Sequence, residues 1–298
     1  MSTIKLFWLR EDPDGQQFEE LHAEEHELDQ ELQQLIEQNL YPLLGIRVLA
    51  SNYPLHSRSN EIIPTLGIDE NDRPVIVHYG SEASTLNQGL FHLNWLLDHR
   101  GDYNLLLYHH FGADAHVDVQ WHIPRLVCLG EHVASYAVHT AAQSALSVDI
   151  MRYRFHSDNL LLLERLNSPL GPNDLPADTL LRLNGVLHAA TGETQRLFLA
   201  AQQTILDLAE DIEIVVRGTF VLFRRIRNVA ALQLLGNDVA LYLNLEPDQV
   251  SIDELSEDNI RYLDTAVLGG IGNLEAILAD DEDLSDILPL LQRSVDLG

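Results

Sequence analysis

One stretch, residues 61–101 (EIIPTLGIDENDRPVIVHYGSEASTLNQGLFHLNWLLDHRG), constrains the fold more than any other part of this sequence. Two short apolar runs at 62–68 and 74–79 flank five polar residues, a pattern typical of two strands joined by a turn. A helix is predicted next, with Ser84 or Thr85 as the candidate N-cap and a His-Arg-Gly sequence as its C-terminal signal. The stretch therefore predicts strand, turn, strand and helix.

The same stretch resembles the PD-(D/E)XK nuclease superfamily, in particular bacterial proteins related to the archaeal and actinobacterial mismatch endonucleases. The segments that carry the resemblance are TLGIDEN at 65–71, NQGLF at 87–91 and WLLDHRGD at 95–102. The resemblance continues at residues 124–130 and extends over nearly the whole chain. It implies an α/β fold, in which a restriction-endonuclease-like core is followed by a smaller α+β domain.

The resemblance also implies the domain organisation. We expect the nuclease-like core at residues 1–168, a linker at 169–177, where proline, glycine and asparagine cluster, and the α+β domain at 178–298. In the second domain the His-Trp pair of the family is replaced by Leu268-Gly269. Residues 224–227 (RRIR) form the one local basic cluster. We interpret these arginines as neutralising neighbouring acidic residues on the surface. The alternative is that they bind an anionic ligand.

The residues at the metal site of the family are replaced. In the register of the resemblance, its metal-binding Asp falls on Pro64, the Glu of its E-x-K motif on His78, and the Lys on Gly80. Such nucleases hold Mg²⁺ between the two carboxylates and use the Lys to orient or activate the attacking water.

Glu31 matches the first-helix acid of the family, with an exposed helix carboxylate as an equal alternative. One imidazole with Glu31 is a poor cage for Mg²⁺, so we predict a nuclease fold without metal, cofactor or nuclease chemistry. The alternative is a shifted register, with a working site elsewhere.

Loss of the metal would leave a concave site between the strands and the following helix. A cleft with apolar and aromatic walls and a few polar anchors is how small-molecule pockets are built. No catalytic residue is assigned by the sequence. The candidate pocket residues are Glu31, Pro64, His78, Gly80, Gln88, His92 and Trp95.

Charge restricts the partners. Lys and Arg number 18 against 46 Asp and Glu, which gives a formal net charge of -28, and Lys5 is the only lysine. A protein that neutralises phosphates normally carries a basic face, so this balance argues against nucleic acid as the main partner. A solubility trait is the alternative explanation of the acidity. The absence of a bilayer-length apolar run and of a signal-peptide pattern predicts a cytoplasmic protein that does not bind membranes.

Four local predictions complete the sequence-based description. The acidic residues 11–31 are expected to begin a long helix, in which His22 and His26 have the H-x-x-E-H spacing of one zinc-peptidase class. A solvated charged face is the better interpretation of that spacing. Residues 104–111 are predicted as a strand, and Cys128 as an inert thiol in a buried strand.

Two functions of different classes follow. The favoured one is a catalytically inactive nuclease-like scaffold that serves as a binding or assembly protein, with an acidic surface that recognises a protein partner. The alternative is a metal-independent enzyme, for example a cyclase or isomerase of a small apolar molecule, with His78 as acid or base. A residual metal-dependent nuclease ranks third, and formation of a homo-oligomer is left open.

Overall fold

The computed structural model describes residues 5–12, 15–24, 30–55, 61–80, 83–112, 117–142, 146–167, 177–188, 190, 192–250, 259–263 and 272–298. Over these residues the chain is a mixed α/β protein with three β-sheets. Of the predicted linker, only Ala177 lies within the described residues, and a helix begins there.

The elements of the first part of the chain are β1 (Leu6–Asp12), β2 (Gly15–Leu21), β3 (Ala23–Glu24), α1 (Gln30–Leu44), β4 (Ile46–Pro54), β5 (Ile62–Asp69), β6 (Pro74–Tyr79), α2 (Ala83–Asp98), α3 (Arg100–Phe111), β7 (Arg125–Gly130), α4 (Ser135–Ala142), β8 (Ser147–His156) and β9 (Leu160–Arg165). Then follow α5 (Ala177–Leu187), α6 (Gly192–Leu208), β10 (Glu213–Arg217), β11 (Phe220–Arg224), β12 (Asn228–Leu235), β13 (Asp238–Leu243), β14 (Ile260–Tyr262), β15 (Leu274–Leu278) and α7 (Asp281–Leu297).

The candidate site belongs to the seven-stranded sheet, with strand order β3-β8-β7-β6-β5-β4 and β9 paired to β8. The predicted hairpin is confirmed, because β5 and β6 are antiparallel, with Thr65 opposite Val77. Strands β6, β7 and β8 are parallel neighbours. Parallel neighbours need crossover connections, and helices α2 and α3 form the first of these while α4 lies in the second.

Alternating residues of β6 face opposite sides of this sheet. On one side Val75 and Val77 pack with the buried residues of α1, and half-buried Tyr79 packs against the same cluster. On the other side Ile76 packs with the buried residues of α2. His78 therefore points toward α2, and Tyr79 points toward α1.

Two of the sequence-based element predictions are wrong. Residues 104–111 are helical, because Tyr103 and Leu107 recur at helical spacing and bury one face of α3. The Tyr103 hydroxyl donates to the Gly67 carbonyl oxygen over 2.8 Å, which ties this helix to β5. Residues 15–21 form strand β2 instead of a helix, and α1 begins only at Gln30.

The second larger sheet has six antiparallel strands in the order β10-β11-β12-β13-β15-β14. Helices α5, α6 and α7 contribute to the core cluster on one of its faces. The side chains of Asp280 and Asp283 accept hydrogen bonds from backbone N–H groups and form a capping box that starts α7. The helices and strands of this part agree with the α+β content predicted for residues 178–298. Residues 264–271, which include Leu268-Gly269 at the position of the family's His-Trp pair, lie outside the described residues.

The β5–β6 turn docks onto the six-stranded sheet. Asn71 and Asn228 exchange two side-chain amide hydrogen bonds of 3.0 and 2.8 Å. The carboxylate of Glu70 accepts from the backbone N–H of Asn228 over 2.5 Å and from Arg227 over 3.2 Å. Since Asn71, Glu70 and Asn228 are buried, the turn joins the two sheets through contacts that exclude water.

A buried charge network, here named the Asp149 network (Asp149, Arg125, Arg165, Arg224 and Glu213), continues this junction. Asp149 of β8 accepts from Arg125 Nε over 2.6 Å and from Arg224 Nη2 over 2.9 Å, and its other carboxylate oxygen lies 3.1 Å from Arg165. The side chains of Asp149, Arg125 and Arg224 are at most 2% exposed. The interpretation of Arg224 as a surface cation is therefore wrong, because it pairs across the junction.

Candidate functional site

The centre of the candidate site is a pair of buried histidines. His78 on β6 and His92 on α2 are 3% and 4% exposed. Their Nε2 and Nδ1 atoms lie 2.7 Å apart, and the ring centroids lie 4.9 Å apart. One ring must donate and the other accept, so protonation of both rings would place two N–H groups face to face and break the bond.

Burial keeps both rings neutral near pH 7. It lowers the pKa of His78 to about 4, with a further lowering by His92. It also lowers the pKa of His92, although Glu61 acts in the opposite direction. The desolvation cost of a charged imidazole is the common cause. The pair therefore offers one neutral donor and one neutral acceptor.

The low pKa of His78 predicts a pH dependence of stability. In the unfolded chain a histidine titrates near ~6.5, so the unfolded state binds the proton more tightly and stability falls as the pH drops from ~6.5 toward 4. Between pH 7 and pH 4.5 we expect wild type to lose about 2 kcal/mol more than a His78→Gln variant. Urea unfolding at the two pH values measures the difference.

The comparison between variants is needed because other groups titrate in the same range. Burial raises the pKa of Asp72 to about 6, against the opposing effect of Arg217. Protonation of Asp72 therefore stabilises the folded protein as the pH falls. His139→Gln, at an exposed histidine of α4, serves as the matched control and should keep the wild-type slope. If the free energy of unfolding changed equally with pH in wild type and in His78→Gln, the lowered pKa of His78 would be contradicted.

The other predicted pocket residues do not all join the histidine pair. Gln88 is exposed on α2, and Glu31 is exposed in the first turn of α1. Trp95 is half-buried and stacks on His99, with ring centroids 4.1 Å apart and an interplanar angle of 13°. It also contacts Tyr53 at 6.0 Å. The structure thus brings His78 and His92 into contact, and the lining of a cleft by Gln88, Glu31 and Trp95 stays a prediction.

Gly80 lies two residues after His78, in a conformation that favours glycine. Its φ is +138°, a value that residues with a side chain rarely adopt. Its N–H donates to the Leu129 carbonyl oxygen over 2.9 Å. A Cβ atom at this position would lie 2.8 Å from Thr85 Oγ1. The backbone here is thus shaped for a residue without a side chain.

Pro64 lies on β5 beside a polar cluster on the α1 side of the sheet. Its carbonyl oxygen accepts from Gln33 Nε2 over 3.3 Å, and Gln33 also donates to Glu37 over 3.0 Å. Thr65 donates to Glu37, and the Tyr79 hydroxyl lies 2.9 Å from Thr65 Oγ1. Because the single Thr65 proton is committed to Glu37, Tyr79 must donate to Thr65.

These bonds form a hydroxyl chain from Tyr79 through Thr65 to Glu37, and Ser51 also donates to Glu37 over 2.7 Å. Burial raises the pKa of Tyr79 far above its usual value, so its phenol stays protonated. Glu37 is the carboxylate of α1 that reaches the sheet, six residues after the predicted Glu31. The available sequence signal was the alternation on β5 and β6, which places Thr65 and Tyr79 one position away from Pro64 and His78.

The arrangement is suited to hydrogen bonding more than to metal binding. Within the described ranges, no group of three or more His, Cys, Asp or Glu side chains is placed to hold a metal ion. His78 and His92 bond to each other, and Glu37 already accepts hydrogen bonds from three donors.

Two further candidates of the sequence lie away from this site. Of the two histidines with the zinc-peptidase spacing, His22 is exposed, and His26 lies outside the described residues. Cys128 is buried, and burial raises its pKa to about 12, as expected of an inert thiol.

Comparisons with known proteins give distant matches. No family model matches the chain. A protein of Haemophilus influenzae, described as an uncharacterized protein, is 21% identical over 301 residues, which cover 94% of this chain and 96% of the relative.

Two solved structures are also similar. A repair endonuclease from Pyrococcus abyssi has a TM-score of 0.28 and 14% identity, over 44% of this chain and 50% of that chain. The EndoMS–dsDNA complex has a TM-score of 0.28 and 16% identity, over 50% of this chain and 60% of that chain. The match thus spans half to three fifths of those chains. None of the helices in the described part of this chain is long and apolar enough to cross a membrane.

Proposed function

We propose that this chain is a nuclease-like scaffold without nuclease chemistry, which acts as a non-nucleolytic binding or assembly protein. The observation that carries the proposal is the backbone at Gly80, the position of the lysine in the related nucleases. With φ at +138° and Thr85 Oγ1 2.8 Å from any Cβ, a lysine fits only if the backbone or Thr85 moves. The local structure therefore disfavours, through backbone strain and the contact with Thr85, the residue that such nucleases use on the attacking water.

The other two metal-site positions support the same conclusion. Pro64 has no side-chain oxygen, and its backbone carbonyl is engaged by Gln33. His78 is neutral and bonded to His92. Mg²⁺ requires oxygen ligands in near-octahedral geometry, and a neutral imidazole pair supplies none. Glu37 is the α1 carboxylate that reaches the sheet, and it accepts hydrogen bonds from hydroxyl groups on the α1 side. His78 points toward α2, on the other side of the sheet.

A protein partner agrees better with the charge than nucleic acid does. The formal net charge is -28, so phosphate backbones are repelled unless a basic face exists. Arg125, Arg165 and Arg224, which would be strong phosphate ligands, are buried in pairs with Asp149 and Glu213. The acidic surface instead favours partners that carry positive charge.

A metal-independent enzyme is the second candidate, and the histidine pair is the observation that favours it. A neutral imidazole can accept a proton as a general base, although the low pKa of His78, about 4, makes it a weak base near pH 7. However, His78 and His92 are at most 4% exposed and satisfy each other, so a substrate would have to separate them. We therefore rank this function below the binding protein.

Native mass spectrometry of the protein purified without denaturation separates the two candidates. The binding-protein proposal predicts the mass of the bare chain, or of the chain with a second protein attached. A small molecule that co-purifies in stoichiometric amount and is released on denaturation would contradict the proposal, and it would assign the pocket to an apolar ligand. A control spectrum of the His78→Gln variant would show whether that ligand depends on the histidine pair.

A further inference from the structure

The N-terminal hairpin is set apart from the rest of the fold. Strands β1 and β2 form a two-stranded sheet with seven antiparallel residue pairs, from Leu6 opposite Leu21 to Asp12 opposite Gly15. Among the described strands, neither β1 nor β2 pairs with a strand of the two larger sheets. The end of β2 contacts them, where the Leu21 carbonyl oxygen lies 3.2 Å from His156 Nδ1 of β8. Both hairpin strands therefore have an open edge, and an isolated two-stranded hairpin is only marginally stable in water.

This hairpin exposes large apolar side chains. Phe7, Trp8 and Leu9 are 49%, 49% and 48% exposed, and Phe18 is 75% exposed. Phe7 and Leu9 alternate along β1, and Leu9 lies opposite Phe18, so these three share one face of the hairpin. Phe7 and Phe18 are in edge-to-face contact at 6.5 Å. Apolar clusters of this kind on a surface mark interaction sites.

The hairpin belongs to an acidic part of the sequence. Residues 1–31 contain ten acids against two bases, Lys5 and Arg10, and Lys5 is already paired with Glu20 over 2.9 Å. A second copy of the chain would bring the same acidic segment and another net charge of -28, which opposes association through this face. The complementary partner is apolar and positively charged.

We propose that the β1–β2 hairpin is the docking element for a basic, apolar segment of a partner protein, bound in extended form against Phe7, Leu9 and Phe18. Backbone groups at the open strand edges supply the hydrogen bonds, as in strand-addition complexes. Alternate apolar residues of the segment cover the aromatic face, and its lysines or arginines meet the carboxylates beside it. The proposal deepens the binding function proposed above and rests on it.

The test uses the full chain and two synthetic probes with blocked ends: a ten-residue peptide of alternating valine and lysine, and its valine–glutamate twin. Binding of each fluorescently labelled peptide is measured by anisotropy. We expect the lysine peptide to bind, the glutamate peptide not to bind, and the affinity to fall as salt rises. The double variant Phe7→Ser/Phe18→Ser should lose at least about tenfold in affinity.

Leu181→Ser is the matched control, because Leu181 is 71% exposed on α5, outside the hairpin. It should bind the lysine peptide as wild type does, and circular dichroism should show all variants folded. Three results would overturn the proposal: equal binding of both peptides, equal binding by the double variant and the control, or a wild-type dimer that the double variant abolishes. Divalent-dependent DNA cleavage with intact peptide binding would overturn only the proposed function.

Discussion

Replacement of Asp149 by asparagine is expected to lower the free energy of unfolding by about 3–5 kcal/mol, the range observed when one partner of a buried ion pair is removed. The guanidinium groups of Arg125, Arg165 and Arg224 all lie within hydrogen-bonding distance of this one carboxylate. Burial alone would raise the pKa of Asp149, but the three arginines, Arg224 first, hold it well below its usual range. Asparagine keeps the shape of the side chain and removes the charge that neutralises them.

Asp281→Asn provides the comparison for this prediction. Asp281 also pairs with an arginine, Arg196, over 3.0 Å, but the two side chains are 60% and 56% exposed. An exposed pair contributes about 0–1 kcal/mol, so this variant should unfold close to wild type. Denaturant unfolding of both variants at pH 7 measures the contrast. Similar stabilities for the two variants would contradict the assignment of Asp149 as the centre of the junction.

The second large effect is expected at Gly80. Gly80→Lys introduces the lysine that the sequence resemblance places at this position, and it should destabilise the protein by about 1–3 kcal/mol from the backbone conformation alone. The displacement of Thr85 adds to this cost, because the new Cβ would lie 2.8 Å from Thr85 Oγ1. Thermal or urea unfolding gives the value directly.

Gly185→Lys separates this strain from the general effect of adding a lysine. Gly185 lies in α5, and a Cβ there would meet nothing within 4 Å. Lysine has a higher helix propensity than glycine, so this control should be neutral or stabilising by up to ~1 kcal/mol. If Gly80→Lys were as stable as Gly185→Lys, the site could accept the nuclease residue, and the main observation behind the proposed function would be lost.

The elements around the candidate site were largely predictable, because they depend on local patterns. The polar turn between two apolar runs predicted β5 and β6, and helical spacing predicted α2. Residues 104–111 were misassigned as a strand because a short apolar run fits both periods. The buried pair of Tyr103 and Leu107, four residues apart, becomes evident only once β5 supplies the surface for α3 to cover.

The junction was not predictable, because its partners are distant in sequence. The β5–β6 turn has the composition of an exposed turn, yet Glu70 and Asn71 are buried against Asn228, more than 150 residues away. The basic cluster beginning at Arg224 was interpreted as a surface feature for the same reason. Two of the carboxylates that neutralise it, Asp149 for Arg224 and Glu70 for Arg227, come from the seven-stranded sheet and its β5–β6 turn. At the site itself, the sequence identified His78 and His92 as candidates but missed Glu37.

The domain boundaries at 168 and 178 remain predictions. Residues 168–176 lie outside the described part of the chain. The Asn71–Asn228 bonds and the Asp149 network join the two larger sheets. We therefore expect the two sheets to unfold together.

A DNA cleavage assay on the wild-type chain, with single-stranded, double-stranded and mismatched substrates in Mg²⁺ or Mn²⁺, tests whether the protein lacks nuclease activity. We expect no cleavage above an EDTA control, because Pro64, His78 and Gly80 supply neither the metal ligands nor the lysine of such nucleases. Cleavage that requires the divalent ion and is lost in a Glu37→Gln variant, but kept in the His139→Gln control, would contradict the account and establish the chain as a working nuclease.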